Sequence, residues 1–439
     1  MMNPILRTLC AITLLFGLNA SSWAQISQGG LPPSLQPQFS AVFSNRSLPI
    51  KRTAALDMQQ IKKEDAALEG TVRFAAPLPL SISPAQEGQW TVLPNGDRVW
   101  RLHLQVPQAL GIFVVYQGFQ LPAGARLYMY SPDQQQMKGA YTSQNNKPHQ
   151  KFMTGMIAGD AAILEYWESA PKTSSRRLPF DIERLFVAYN TDHIQPPDTP
   201  FKTYDGFGDA MSCNVNINCP SGDNWQDHKR GIVRMLRIFD EGVGWCTGSL
   251  INNTNQDGTP YILSAFHCIA GFTPQLELWR FDFNYESVDC SNPVEEPDFQ
   301  SLLGCLYRSG REQTDFLLLE LEDEIPHQYD VYYNGWNRDN TFVPSMGTGI
   351  HHARGDIKKI SLDNDPADIF QSSILWSNGV TTPPNHHFRF QLDEGTIEDG
   401  SSGSPIFDQN GWIVGQLHGG NASCATNIFT TYYGRFSLS

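Results

Sequence analysis

The chain has 439 residues, with 45 acidic against 31 basic side chains. At roughly 150 residues per domain this makes two or three domains, each long enough to bury a core. With 40% hydrophobic and 17% charged residues global disorder is excluded, and a net charge of −14 excludes the basic footprint that nucleic acid requires.

The N-terminus reads as an export signal. Arg7 supplies the positive start, Leu9 to Leu18 is an apolar run too short to cross a bilayer, and Ser22-Trp23-Ala24 offers small residues at a cleavage site. Residues 1–24 are therefore expected to be removed and the rest secreted, outside the cytoplasm or in the periplasm on the way. No later stretch has 18 consecutive apolar residues, so no membrane partner is expected. Cys10 leaves with the signal, and the seven remaining cysteines all lie beyond position 212.

Residues 25–190 carry short alternating apolar runs, among them Arg98–Val106, Gly111–Gln117, Ala162–Trp167 and Arg184–Ala188, separated by turn signals such as Pro94-Asn95-Gly96-Asp97. This spacing predicts a β-sandwich, preceded by a short charged helix from Met58 to Leu68. Residues 191–212 are rich in Pro, Asp and Gly and read as a linker. Residues 213–439 repeat the short-strand texture with Gly-rich turns and predict an all-β unit built of barrels. Charge divides near the same boundary: residues 1–205 hold 18 basic and 15 acidic side chains, residues 206–439 hold 13 and 30. Complementary fields could dock the first part on the second, or both surfaces could simply be solvated.

The second part carries four motifs. Cys246 and Cys268 bracket an apolar strand, and a disulfide between them would fix the backbone beside His267, an imidazole suited to general base catalysis. Asp315 opens the apolar run Phe316–Leu319; a buried acid there needs a partner, and the N–H of His267 can supply it. Gly400-Ser401-Ser402-Gly403 is a tight turn able to present the Ser402 hydroxyl and to aim the N–H groups of Ser402 and Gly400 at a developing oxyanion. Gly415 to Gly420 is a strand ending in a glycine pair, fit to bind extended peptide. The order His267, Asp315, Ser402 is that of chymotrypsin-like proteases.

These motifs, together with SCNVNINCPSGD, DGTPYILSAFHC, TDFLLLEL, GSSGSPIFD, GQLHGG and YYGRF, make residues 212–439 similar to the bacterial lysyl endopeptidases. The resemblance implies a chymotrypsin-like double β-barrel for this part, and the first half resembles the β-rich pro-regions of many secreted bacterial proteases, so the expected fold is all-β: an N-terminal β-sandwich pro-region followed by a chymotrypsin-like double β-barrel. It implies a serine endopeptidase with His267 as base, Asp315 as its orienting acid and Ser402 as nucleophile. It also implies disulfides Cys213–Cys424, Cys219–Cys290 and Cys246–Cys268, leaving Cys305 free. Trp376 and His418 fall where the family stacks a tryptophan on a histidine beside the catalytic imidazole, with core packing the competing role for Trp376. Gly419 joins them in the expected substrate pocket.

One position departs from the family. Its lysine preference rests on an aspartate two residues before the terminal Tyr-Gly-Arg, where this chain has Thr431, and the trypsin-type acid six residues before the serine falls on Thr396. A lysine ammonium in a desolvated pocket without a carboxylate loses several kcal/mol. A preference for small or uncharged side chains is therefore expected, unless Glu398 or Asp399 supplies the charge. No cofactor and no metal is expected: the chain has no HExxH and no CxxC pair, and His351-His352 and His386-His387 are adjacent pairs, each expected to bury one member. The expected partners are protein or peptide substrates and the chain's own pro-region, acting as chaperone or as a block on the cleft until the linker is cut at Lys202 or Arg176-Arg177. A non-proteolytic secreted binding or virulence protein on the same scaffold is the alternative, and the sandwich could instead be a retained carbohydrate- or protein-binding module.

Overall fold

The computed structural model describes residues 27–44, 47–67, 73–170, 178–189, 206–424 and 429–439. The expected export signal and the candidate cut sites Lys202 and Arg176-Arg177 lie outside the described residues.

The front part is two antiparallel-rich sheets packed face to face. In the first, Arg98–Gln105 pairs along its whole length with Ala161–Glu168, and Arg126–Tyr130 and Met137–Tyr141 follow beyond it. The second is made of Ala75–Ile82, Asp181–Ala188 and Gly111–Gln117. Alternation explains the packing: Trp100, Leu102 and Leu104 point from the first sheet onto Ile112, Val114 and Leu185 of the second. The charged helix runs from Met58 to Ala67.

The back part is two antiparallel sheets, each curled on itself. The first joins Arg280–Phe283, Ile232–Phe239, Gly242–Ile251, Tyr261–Ala265 and Phe316–Leu321 in that order. The second joins Lys359–Asp363, Gly347–His351, Pro405–Phe407, Ile413–Gly420, Thr430–Arg435 and His387–Gln391. Between the barrels lies a shared layer that includes Ile232, Leu263, Phe316, Ile350, Phe407 and Ile413. Three disulfides tie this unit together, Cys213–Cys424, Cys219–Cys290 and Cys246–Cys268. Cys213–Cys424 closes a 211-residue separation, and a loop of that size gains on the order of 5 kcal/mol in the chain-entropy account. Cys305 is buried and unpaired, and burial pushes its thiol well above the ordinary range, so it is inert as a nucleophile.

The two parts share a sheet edge. Ala75 pairs with Val243, and the Phe74 N–H donates to the Val243 carbonyl at 2.9 Å. A Cβ on Gly242 would fall 2.5 Å from the Ala75 carbonyl oxygen, so only glycine lets the edges meet. Phe74, Phe113, Met156 and Phe186 then continue the apolar core of the first barrel alongside Met235 and Phe239. Around this contact the cations come from the front and the anions from the back: Lys151 on Glu277 at 2.7 Å, Lys147 on Asp323 at 2.5 Å and Arg184 on Asp240 at 2.9 Å. The charge asymmetry of the sequence is thus used at the contact, although such partly exposed pairs stabilise by only about 0–1 kcal/mol each and the apolar layer dominates.

Two expectations change. The C-terminal end of the expected linker is docked: Phe207 is buried, the Gly208 N–H donates to Asp356 Oδ1 at 2.8 Å, and the Met211 N–H donates to Glu398 Oε2 at 2.9 Å. Composition marked these residues as loop, but carboxylates distant in sequence satisfy their amides. Of the histidine pairs, His386 is half-buried and His387 buried, whereas His351 and His352 are both fully buried. The strand ends at His351, so the period-two rule does not reach His352.

Candidate active site

The strand Tyr261–Ala265 ends in a single 3-10 turn, Phe266–Cys268, that carries His267. Cys268 is bonded to Cys246 on the neighbouring strand, which clamps this turn. Pairing of Ala265 with Phe316 sets the turn beside Asp315. The Phe266 N–H donates to the Asp315 carbonyl at 2.9 Å, the His267 N–H to Oδ1 at 2.8 Å, and His267 Nδ1 lies 2.7 Å from Oδ2. Both carboxylate oxygens are therefore spent on one residue, which fixes the ring's orientation and puts the proton on Nδ1. Asp315 reaches this position through a left-handed backbone, φ 54° and ψ 36°, a conformation costing on the order of 1–2 kcal/mol for a residue with a Cβ. Burial pushes its carboxyl upward, and the His267 contacts offset only part of that.

The loop bearing Ser402 is held by glycines at two close approaches. Gly400 has φ 89° and Gly403 φ 82°. A Cβ on Gly403 would lie 2.1 Å from Ser264 Oγ, so the loop presses directly on the strand that leads into the His267 turn. Thr247 fastens it from the first barrel, its N–H donating to the Ser402 carbonyl and its hydroxyl to the Gly400 carbonyl, both at 2.8 Å. From the second barrel, buried His351 meets Ser401 Oγ through Nδ1 at 2.8 Å.

His267 and Ser402 line one cleft of about 440 Å³ together with Trp376, His418, Gly419 and Tyr432. Trp376 stacks on His418 with centroids 3.6 Å apart, and His418 lies nearly parallel to His267 at 5.5 Å. The Trp376 ring thus belongs to a three-ring stack, and its Nε1–H donates to Thr382 Oγ1 at 3.0 Å. Thr396 and Thr431 are fully buried, while their chain neighbours Ile397 and Tyr432 face the cleft. Glu398, which also borders it, is already engaged by Arg354 Nε at 2.7 Å, Asn214 Nδ2 at 2.6 Å and the Met211 N–H. The Asp399 carboxylate lies in the field of buried Arg237. Neither acid stands free to receive a substrate cation.

No described residue of the front part lines this cleft, so the expectation that the front part covers it does not hold for the described residues. Its contacts fall on the Val243 edge of the first barrel instead. Residues 190–205 lie outside the described residues.

The donor atoms of His267, Asp315 and His418 lie within 4.8 Å of one another, but His267 Nδ1 is held by Asp315, and His418 Nδ1 meets His387 Nε2 at 2.9 Å. Both Nδ1 atoms of the set are therefore already held by hydrogen bonds. Cys246 and Cys268 are spent on each other. His387 is the member that sequence reasoning did not place. Its only signal was membership of a histidine pair on a strand.

A family model described as "Lysyl endopeptidase, C-terminal domain" matches residues 207–434. Among curated proteins the chain is 32% identical over 251 residues to the lysyl endopeptidase of Pseudomonas aeruginosa, covering 53% of this chain and 51% of that protein. The chain thus matches about half the length of this relative. Among solved structures it is similar to the active form of the Rv3671c protease from M. tuberculosis, at TM-score 0.35 and 12% identity over 55% of this chain and 90% of that one. It is also similar to the thermostable serine protease AL20 from an extremophilic microorganism, at TM-score 0.34 and 12% identity over 47% and 92%.

Proposed function

The chain belongs to the lysyl endopeptidase family, and from that premise we propose that it is a secreted serine endopeptidase working through an acyl-enzyme. Ser402 Oγ attacks the scissile carbonyl while His267 takes its proton. The N–H groups of Ser402 and Gly400 receive the oxyanion. His267 then protonates the leaving amine, and water repeats the sequence to release the acid. The observation that carries this reading is the double engagement of His267 by both oxygens of buried Asp315, with that ring and Ser402 bordering the same cleft.

The side chain before the cut is read as small or uncharged. Thr431 replaces the family's aspartate, Thr396 replaces the trypsin-type acid, and Glu398 is neutralised by Arg354. The front part is read as a folding partner that templates the first barrel from the Val243 edge, with processing in the segment before Gly206.

Cleavage-site mapping by mass spectrometry tests both statements, using denatured protein digested by processed wild type and by Ser402→Ala. Cuts made by wild type alone, after small or uncharged residues, are expected. Cuts only after lysine would overturn the specificity reading. No cuts by properly processed wild type would overturn the enzymatic one.

A further inference from the structure

His387 and His418 come from different strands of the second barrel. His387 opens His387–Gln391, His418 sits in Ile413–Gly420, and Thr430–Arg435 runs between them. The register of Ile413–Gly420 slips between Leu417 and Gly419, leaving His418 as the extra residue of a bulge, a device that re-aims a side chain. It is aimed so that Nδ1 meets His387 Nε2 at 2.9 Å and Nε2 stands 3.7 Å from Asp315 Oδ2. The second distance is too long for a hydrogen bond but short enough for a strong field.

Two imidazoles can share one N···N bond in two ways. If His418 donated from Nδ1, its Nε2 lone pair would point at the Asp315 carboxylate, and His387 would carry its own proton on Nδ1. That atom is buried without a hydrogen-bond partner among the described residues, so an orphaned N–H would result. If His387 donates from Nε2, the orphaned atom is a bare lone pair and His418 turns an N–H toward the carboxylate. Both considerations select the second arrangement. The ionisable groups facing the pair are His267 and Asp315 on one side and His386 on the other. Burial holds both rings neutral, His387 at about 3 and His418 well below its usual range, as the arrangement needs.

Resting on the endopeptidase reading, we infer that His387 is a positioning residue: by donating from Nε2 to His418 Nδ1 it fixes the tautomer in which His418 presents Nε2–H to Asp315. That N–H draws charge from the carboxylate and so moderates its hold on the His267 imidazolium. Without it, His267 keeps its proton to higher pH.

The direct test is histidine-selective 15N NMR on the full chain carrying Ser402→Ala, which reports the protonated nitrogen of each ring without needing activity. Protons on Nε2 of both His418 and His387 are expected; a proton on His418 Nδ1 would overturn the inference. In processed enzyme, His387→Phe should lower kcat/KM roughly tenfold, the kinetic equivalent of one neutral hydrogen bond, and move the acid limb of its pH profile upward. His387→Gln, which keeps a donor near the Nε2 position, should restore both. A His387→Phe profile equal to wild type, or a His387→Gln profile equal to His387→Phe, would refute it. If His387→Phe does not fold, the NMR result and His387→Gln decide. If wild type cleaves nothing, the endopeptidase reading fails and the NMR result still stands by itself.

Discussion

Phe74 of the front part stacks on Trp245 of the first barrel, ring centroids 5.5 Å apart and 12° from parallel. Trp245 directly precedes Cys246, whose disulfide clamps the turn carrying His267. The hold of the front part is thus applied three covalent links from His267: two peptide bonds and the disulfide. No described residue of the front part reaches the cleft itself.

Replacing Phe74 by alanine should weaken that hold by about 3 kcal/mol, since the ring is 4% exposed and buried Phe→Ala changes cost 3–5 kcal/mol. Denaturant titration of the full chain should show the loss, with catalysis per correctly folded molecule unchanged. An unchanged transition would mean that the solution contact lies elsewhere.

Asp315→Asn should lower kcat by roughly 10⁴. An amide facing the two N–H groups of His267 can no longer accept from both, and the ring settles in the wrong tautomer. Rates normalised to active-site titration check this. A loss below tenfold would remove Asp315 from the mechanism.

Thr431→Asp should turn the cleft toward lysine. A carboxylate in the fully buried position of Thr431, whose hydroxyl has no hydrogen-bond partner among the described residues, would gain a substrate ammonium as its counter-ion. Breaking such buried pairs costs about 3–5 kcal/mol, so the ratio of kcat/KM for lysine over alanine substrates should rise on the order of 10²-fold. Peptide-library cleavage measures it. If the ratio stays flat, Thr431 does not border the side-chain pocket.

Acid stability should depend on Glu286. Burial alone would raise its carboxyl, but Lys358 and Lys229 more than offset that and hold it at about 2, with contacts of 2.9 and 2.6 Å. The folded value lies below the unfolded one, so the stabilisation is complete above about pH 4.5 and is lost as pH falls toward 2. Glu286→Gln should therefore cost about 3 kcal/mol at pH 7, with the gap to wild type closing between pH 4.5 and 2. Urea midpoints at pH 7 and pH 3 test this, and a constant gap would contradict the assigned cause.

The candidate acid–base residues stood out in the sequence because the chemistry proposed for them demands particular neighbours. His267 lies against Cys268, Asp315 opens a strand too apolar to hide a lone charge, and Gly400 and Gly403 flank a serine that needs a tight turn. The strands themselves were legible through period-two alternation, as in Trp100, Leu102 and Leu104. The proposed departure at Thr431 rests on the sequence alone, as a residue type at a motif position.

What the tertiary structure alone decided concerns contacts between residues far apart in sequence. Glu398 could be counted as a free acid until Arg354 and the Met211 amide were found on it. That the described residues of the front part meet the back part at Ala75 and Val243, and not at the cleft, was not readable from the sequence. His387 could be any buried strand histidine until the bulge at His418 turned that ring to meet it. Local sequence sets propensity, periodicity and the chemistry a residue can perform. Which distant groups share a hydrogen bond is set by strand register and barrel closure, and a slip of one residue at a bulge is enough to bring a ring into a site or leave it out.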